Sequence, residues 1–257
     1  MQRKNKSISF CTTSCNRLWQ LESTLLENLS SIGDDCEIVL VDYGSTDGLS
    51  EWVWENFRQF IECRKLIYFE VKGDVRWNVS KAKNLAHRIS TGAYLFNLDA
   101  DNYVSSQDVN CIKPLLELDV ASHQWSGVWS DGSFGRIGLP RDLFFRMGGY
   151  DESMLPMGGQ DIDLLWRLNA MGVLIKKLPP PKTQAVLNQI IDKVSEIDSS
   201  IQDRQSLYSV MNKINLRKAR VRLKIEGPLL VGGFSTYKGL MNGIPVVIDG
   251  FDEIRAG

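Results

Sequence analysis

Two carboxylates stand one residue apart in the stretch AYLFNLDADNYV, residues 93 to 104, where Asp99 and Asp101 follow the mostly apolar run Tyr94 to Leu98. Two readings fit acids placed where a buried strand must surface. Asp and Asn bond their own backbone and end strands as turn formers. Equally, carboxylates at the rim of a sheet hold a divalent cation and a phosphate, because hard cations such as Mg²⁺ take one or two carboxylates together with substrate phosphates. A second pair, Asp161 and Asp163 in GGQDIDLLWRL, precedes Leu164, Leu165 and Leu168. Both acids therefore fall in the first turn of an expected helix, where the helix dipole favours negative charge. Other chemistries are poorly supplied. With 2 His, His87 and His123, the chain is not expected to use His-centred chemistry. The 5 Cys, at 11, 15, 36, 63 and 111, lack the paired spacing of a zinc site and read as reduced, mostly buried thiols.

The elements that must position these groups alternate between two periods. SISFCTT (7 to 13), CEIVLVD (36 to 42), RKLIYFEV (64 to 71) and 94 to 98 read as strands, separated by helices over 17 to 32, about 48 to 58, and 80 to 90. That order predicts a largely parallel sheet with helices on both faces, which binds ligands beyond the carboxyl ends of its strands. Asp42 and Asp99 sit at such ends. Several glycines in SDGSFGRIGLP (130 to 140) suggest a loop that approaches a ligand or another backbone closely, and a short helix is expected around 141 to 147. LPPPK (178 to 182) stops regular structure, dividing a core, 1–178, from a C-terminal extension, 179–257, with helical stretches near 183 to 197 and 203 to 214 and a short strand IPVVI. In LRKARVRLK, Arg217, Lys218, Arg220, Arg222 and Lys224 alternate with apolar residues, the period of a half-exposed strand. Such a strand would close over a diphosphate, lie against an anionic membrane bearing a lipid-linked acceptor, or form a charge-protected edge.

The 257 residues carry 43% hydrophobic and 24% charged residues, an ordinary globular composition. A net charge of −1 offers no global attraction to nucleic acid, and no nucleic-acid partner is expected. MQRKNKSISF leads straight into a strand without a signal-peptide core or a long apolar run, so a cytoplasmic protein is expected, with peripheral contact at the inner face of the membrane as an option.

A dinucleotide fold or a sugar-nucleotide-forming enzyme needs a glycine-rich loop after the first strand, but TTSCNRLW contains none, and a kinase-like phosphate loop is also missing. What remains is a polar turn at Thr13 to Arg17, VDYGSTDG ending the second strand, a basic helix with Lys81 and Lys83, the Asp-Ala-Asp turn, and GGYDE leading to GGQDIDLLWRL. In their order and spacing, over residues 7 to about 175, these resemble the inverting nucleotide-sugar glycosyltransferases of the GT-A fold, especially the large bacterial group (family 2-like) whose second strand ends in VDDGSTD-like text. The resemblance implies a GT-A, Rossmann-like mixed sheet with a C-terminal lid. It also implies transfer of a hexose or N-acetylhexosamine from a nucleotide-sugar donor, UDP-linked, to a glycan or lipid-linked hydroxyl acceptor in polysaccharide biosynthesis.

By position, the resemblance assigns the nucleoside to Thr13, Cys15 and Arg17 on one wall and Asp42 and Gly44 on the other, and the diphosphate to Lys83. Asp99 would face the ribose or the metal, and Asp101 would bind the metal, Mn²⁺ or Mg²⁺. Asp161 would be the catalytic base, with Gly158, Gly159, Gln160 and Asp163 toward the sugar and acceptor. Trp77, Trp125, Trp129 and Met157 are possible sugar-stacking residues that otherwise read as core. Three features depart from the pattern. Tyr43 stands where relatives often carry an acid, Gln160 replaces an acid beside the base, and no His follows residue 123 to complete a metal shell. These departures leave a second reading open, a non-catalytic nucleotide-sugar or glycan-binding protein on the same scaffold.

Overall fold

The computed structural model describes residues 7–73, 75–189, 192, 194–197, 200, 202–230, 233–250 and 254–256. Its centre is four parallel strands, β1 (Ile8–Ser14), β2 (Cys36–Asp42), β3 (Leu66–Val71) and β4 (Tyr94–Asn97). The chain then adds β5 (Ala121–His123), β6 (Ile137–Pro140) and β7 (Ile175–Lys177) on one side, with β6 antiparallel to β4. On the other side β8 (Tyr237–Met241) pairs antiparallel with β3 and is followed by β9 (Ile244–Ile248) and β10 (Ile254–Ala256). The sheet order is β10-β9-β8-β3-β2-β1-β4-β6-β5-β7.

The buried runs anticipated at 7 to 13, 36 to 42, 64 to 71 and 94 to 98 are these strands, and side-chain parity sorts them into two cores. Ile38 and Leu40 pack with Phe10 and Phe96 under α1 (Leu18–Ser31), α2 (Leu49–Asn56), α3 (Arg58–Glu62) and α5 (Ser106–Ile112). Val39 and Val41 face the opposite way, against Ala82, Leu85, Ala86 and Ile89 of α4 (Val79–Ile89). A third cluster joins β5 and β6 to α6 (Arg141–Arg146) and α7 (Gln160–Ala170). Cys11, Cys15 and Cys36 are buried, while Cys63 is exposed.

The C-terminal segment corrects one expectation. The basic strip read as a half-exposed strand is the second half of a long helix, α8 (Arg204–Ile225), whose N-cap Asp203 accepts from the Ser206 amide at 3.0 Å. The helical stretch expected near 183 to 197 is not formed over 183–189. Among the described residues no helix is long and apolar enough to cross a membrane.

Candidate active site

Parallel register places the ends of β1, β2 and β4 side by side, with Ser14 opposite Asp42 and Cys11 opposite Asn97. Beyond those ends lies a cleft of about 400 Å³. Thr13, Cys15 and Arg17 line one part of it, Lys83, Asp99 and Asp101 the floor, and Gly158, Gly159, Gln160 and Asp161 the far wall.

The centre of the cleft is an ion-pair triad. Lys83, 3% exposed, donates to Asp161 Oδ1 at 2.9 Å and lies 3.4 Å from Asp99 Oδ1. Burial alone would depress the Lys83 ammonium, but the Asp161 and Asp99 carboxylates more than reverse this and raise its pKa above that of an ordinary lysine. The lysine therefore holds a fixed positive charge between the acidic turn after β4 and the first turn of α7. Asn97 Nδ2 orients Asp99 by donating to Oδ1 at 2.9 Å. Asp101 is more deeply set, accepting from Asn102 Nδ2 at 2.7 Å and Asn188 Nδ2 at 3.1 Å. Gly135 lets the two walls converge: a Cβ there would stand 2.7 Å from Asp99 Oδ2 and 3.4 Å from Asp161 Oδ2.

Beneath the triad, His87 is fully buried and stacks on Phe144 at a centroid distance of 4.6 Å. Its Nδ1 donates to the Lys83 carbonyl at 2.7 Å. Burial pushes its pKa down to about 3, against the raising effect of that bond, and the Lys83 charge assists the depression. A folded value below the unfolded one, about 6.5, gives stability that is present above pH 6.5 and lost as pH falls toward 3. We expect this histidine to remove about 2 kcal/mol between pH 7 and pH 5. Comparing thermal unfolding of the native protein and His87→Gln at both values checks it, since the variant should show the smaller pH-dependent loss.

Several expected residues lie elsewhere. Asp42 is buried, accepting from the Ser45 amide at 2.8 Å and the Tyr68 hydroxyl at 3.0 Å, and burial raises its pKa. Neither Asp42 nor Gly44 is among the residues lining the cleft; a Cβ on Gly44 would meet Val75 at 3.0 Å. Asp163, two residues from Asp161, points away from the cleft and is 1% exposed. It bonds Arg167 Nε at 2.8 Å and Arg222 of α8, so it fastens helices rather than facing an acceptor. Gly158 and Gly159 line the cleft, yet their missing side chains accommodate α8: a Cβ on Gly158 would stand 2.8 Å from Asn212 Cβ, and on Gly159 3.2 Å from Asn215 Cβ. Arg17 is held by the Asp192 carbonyl and by Ser195 Oγ at 3.3 Å. The Cys15 thiol is pushed up to about 12 by burial and the nearby Glu196 and Asp42 carboxylates, so it is no nucleophile.

Some lining residues were not anticipated. Asn188, Tyr208 and Asn212 come from beyond the proline-rich boundary. Tyr208 and Asn212 stand four apart on α8, the spacing that puts two side chains on one helix face, and burial together with the Asp161 charge raises the Tyr208 phenol. Trp129 lines the cleft while 61% exposed, Trp77, Trp125 and Met157 are half-buried, and Trp77 also packs against the core beside Tyr43.

Among the described residues no three His, Cys, Asp or Glu side chains cluster as a ready-made metal cage. Asp99 and Asp101 still fit a cation of the kind that uses one or two carboxylates and completes its shell from phosphates and water, for both open on the cleft and the Asp99 side chain is 37% exposed.

A parallel half, an antiparallel strand reversing direction after the acidic turn, and a later helix presenting an acid over the same cleft define the GT-A glycosyltransferase fold. Residues 9–124 match the family described as glycosyl transferase family 2. Similar solved structures include the mannosyltransferase PcManGT from Pyrobaculum calidifontis in complex with GDP-Man and Mn²⁺ (TM-score 0.59, 19% identity, 86% of this chain and 75% of that one). Others are S. aureus TarS 1–349 in complex with UDP-GlcNAc (0.57, 13%, 85% and 73%) and GalNAc-T7 with UDP, GalNAc and Mn²⁺ (0.55, 13%, 96% and 65%). No curated protein matches the chain in sequence.

Proposed function

We propose that this protein is an inverting glycosyltransferase that moves a hexose or N-acetylhexosamine from a UDP-linked donor to a hydroxyl of a glycan or lipid-linked acceptor. The observation that carries the reading is the single cleft in which the acidic turn after β4 and the acid atop α7 face each other across Lys83. The nucleoside lies toward Thr13, Cys15 and Arg17, and the acceptor lies toward Trp129, Tyr208 and Asn212. Asp161 accepts the proton of the acceptor hydroxyl as that oxygen attacks the anomeric carbon from the face opposite the diphosphate. The ammonium of Lys83 and the start of α7 both place positive charge beside the Asp161 carboxylate. Lys83 stays charged throughout and offsets negative charge building on the diphosphate. A divalent cation held by Asp99 and Asp101 would supply Lewis-acid help to the same leaving group.

The Lys83–Asp161 pair, with Gln160 where an acid is common, favours a second reading in which the cleft binds a nucleotide sugar without turning it over. Incubating the protein with a panel of UDP- and GDP-sugars, with and without Mn²⁺, separates the two. Release of UDP from a UDP-sugar, raised at least about tenfold by Mn²⁺, is expected; donor binding with no release under any pairing would favour the binding protein.

A further inference from the structure

Helix α8 buries two polar side chains beside Met211 and Ala219 and leaves four aliphatic ones outside. Its buried side includes Asn215 and Arg222, whereas Val210, Ile214, Val221 and Ile225 are exposed by 52%, 49%, 48% and 76%. At 3.6 residues per turn these four fall within about 60° of one another around the axis and run for about 22 Å along it. The margins of this aliphatic stripe are cationic. Lys213, Arg217, Arg220 and Lys224 follow one side and Lys218 the other, and no Asp or Glu occurs between residues 204 and 225. Arg222 is not part of this surface, because it turns inward to Asp151 and Asp163.

We infer that this face of α8 docks on an anionic lipid bilayer. Aliphatic side chains between lysines and arginines suit a helix lying in the membrane interface, with the stripe at the acyl boundary and the cations among the headgroups. Nucleic acid would engage the cations and leave the stripe in water. A second copy of the same face would bring two rows of like charge together. An anionic bilayer satisfies both the stripe and its margins. The opposite side of the helix gives Tyr208 and Asn212 to the cleft, so docking sets the cleft about one helix diameter, about 10 Å, from the headgroups. This inference rests on the exposed face alone, and lipid binding is read without turnover, so it fails or stands separately from the transferase reading.

Cosedimentation of the full chain with phosphatidylcholine vesicles, with and without about 30 mol% phosphatidylglycerol at about 0.1 M salt, tests it. Binding is expected only to the anionic vesicles. The triple variant Lys213→Gln, Arg217→Gln, Lys224→Gln should lower the partition coefficient about a hundredfold. The charge-neutral pair Ile214→Ser, Val221→Ser should lower it at least about tenfold, with the melting temperature of both variants unchanged because every altered side chain is exposed. Equal binding to neutral and anionic vesicles, or none to either, overturns the inference. Serine variants that bind like the native protein would also overturn it, marking a general polyanion surface such as one for nucleic acid.

Discussion

Asp161→Asn is expected to lower sugar transfer by about 10²- to 10⁴-fold, the range for loss of a general base, while leaving donor affinity within a few fold. The asparagine keeps the size of the side chain and its place in the first turn of α7 but cannot take a proton. It also releases Lys83 from one of its two carboxylate partners, so the ammonium turns to Asp99 and the face of Tyr150. Loss of rate with donor binding retained, measured by transfer assay and by titration calorimetry with UDP, is the expected pair of results. Full activity in the variant would sink the assignment of the base. An equal loss of donor binding would show that Asp161 acts on the diphosphate side through Lys83.

The second large effect is on stability. Arg222→Met should destabilise the protein by about 3–5 kcal/mol, the usual consequence of removing one partner from a buried ionic cluster. Arg222 is 9% exposed, with Nη1 3.4 Å from Asp151 Oδ2 and Nη2 on Asp163 Oδ1. Asp163 would keep Arg167, whereas Asp151 would keep the neutral Ser153 amide and hydroxyl as its hydrogen-bond donors. For a chain of this size the melting temperature should fall by about 10 °C. The added Asp151→Asn change should recover part of the loss, since it removes the stranded charge. A single-variant loss below about 1 kcal/mol would mean that apolar contact, not this cluster, ties α8 to the core.

Much of the scaffold was legible because its signals are local. A short, β-branched apolar run such as CEIVLVD, bounded by turn residues, reads as a strand buried on both faces, and the alternation with helices puts Asp99 just past the carboxyl end of β4. What was not legible depends on direction. Asp42 shares the parity of Ile38 and Leu40, so it turns to Tyr68 beneath the sheet. Asp161 and Asp163 are two apart on a helix, about 200° around its axis, so both could not face one cleft. The step of about 100° per helical residue carries that divergence in the sequence itself. The strip LRKARVRLK fits a period of 2 and a period of 3.6 equally well over its nine residues. The uninterrupted stretch that contains it, with no Gly or Pro between 203 and 226, was the clue that the helix continues. Lys83 needed three dimensions, since its two partners lie 16 and 78 residues away.

The order of the strands has a consequence for how the protein is made. β7 and β8 occupy opposite flanks of the four central parallel strands, and the intervening segment delivers Asn188, Tyr208 and Asn212 to the cleft on its way across. That belt is anchored at its far side only when β8 hydrogen-bonds to β3, a strand synthesised some 170 residues earlier. Contacts so distant in sequence are slow to form. The wall of the cleft that this segment supplies thus arrives last in maturation, after the parallel half of the sheet has already taken shape.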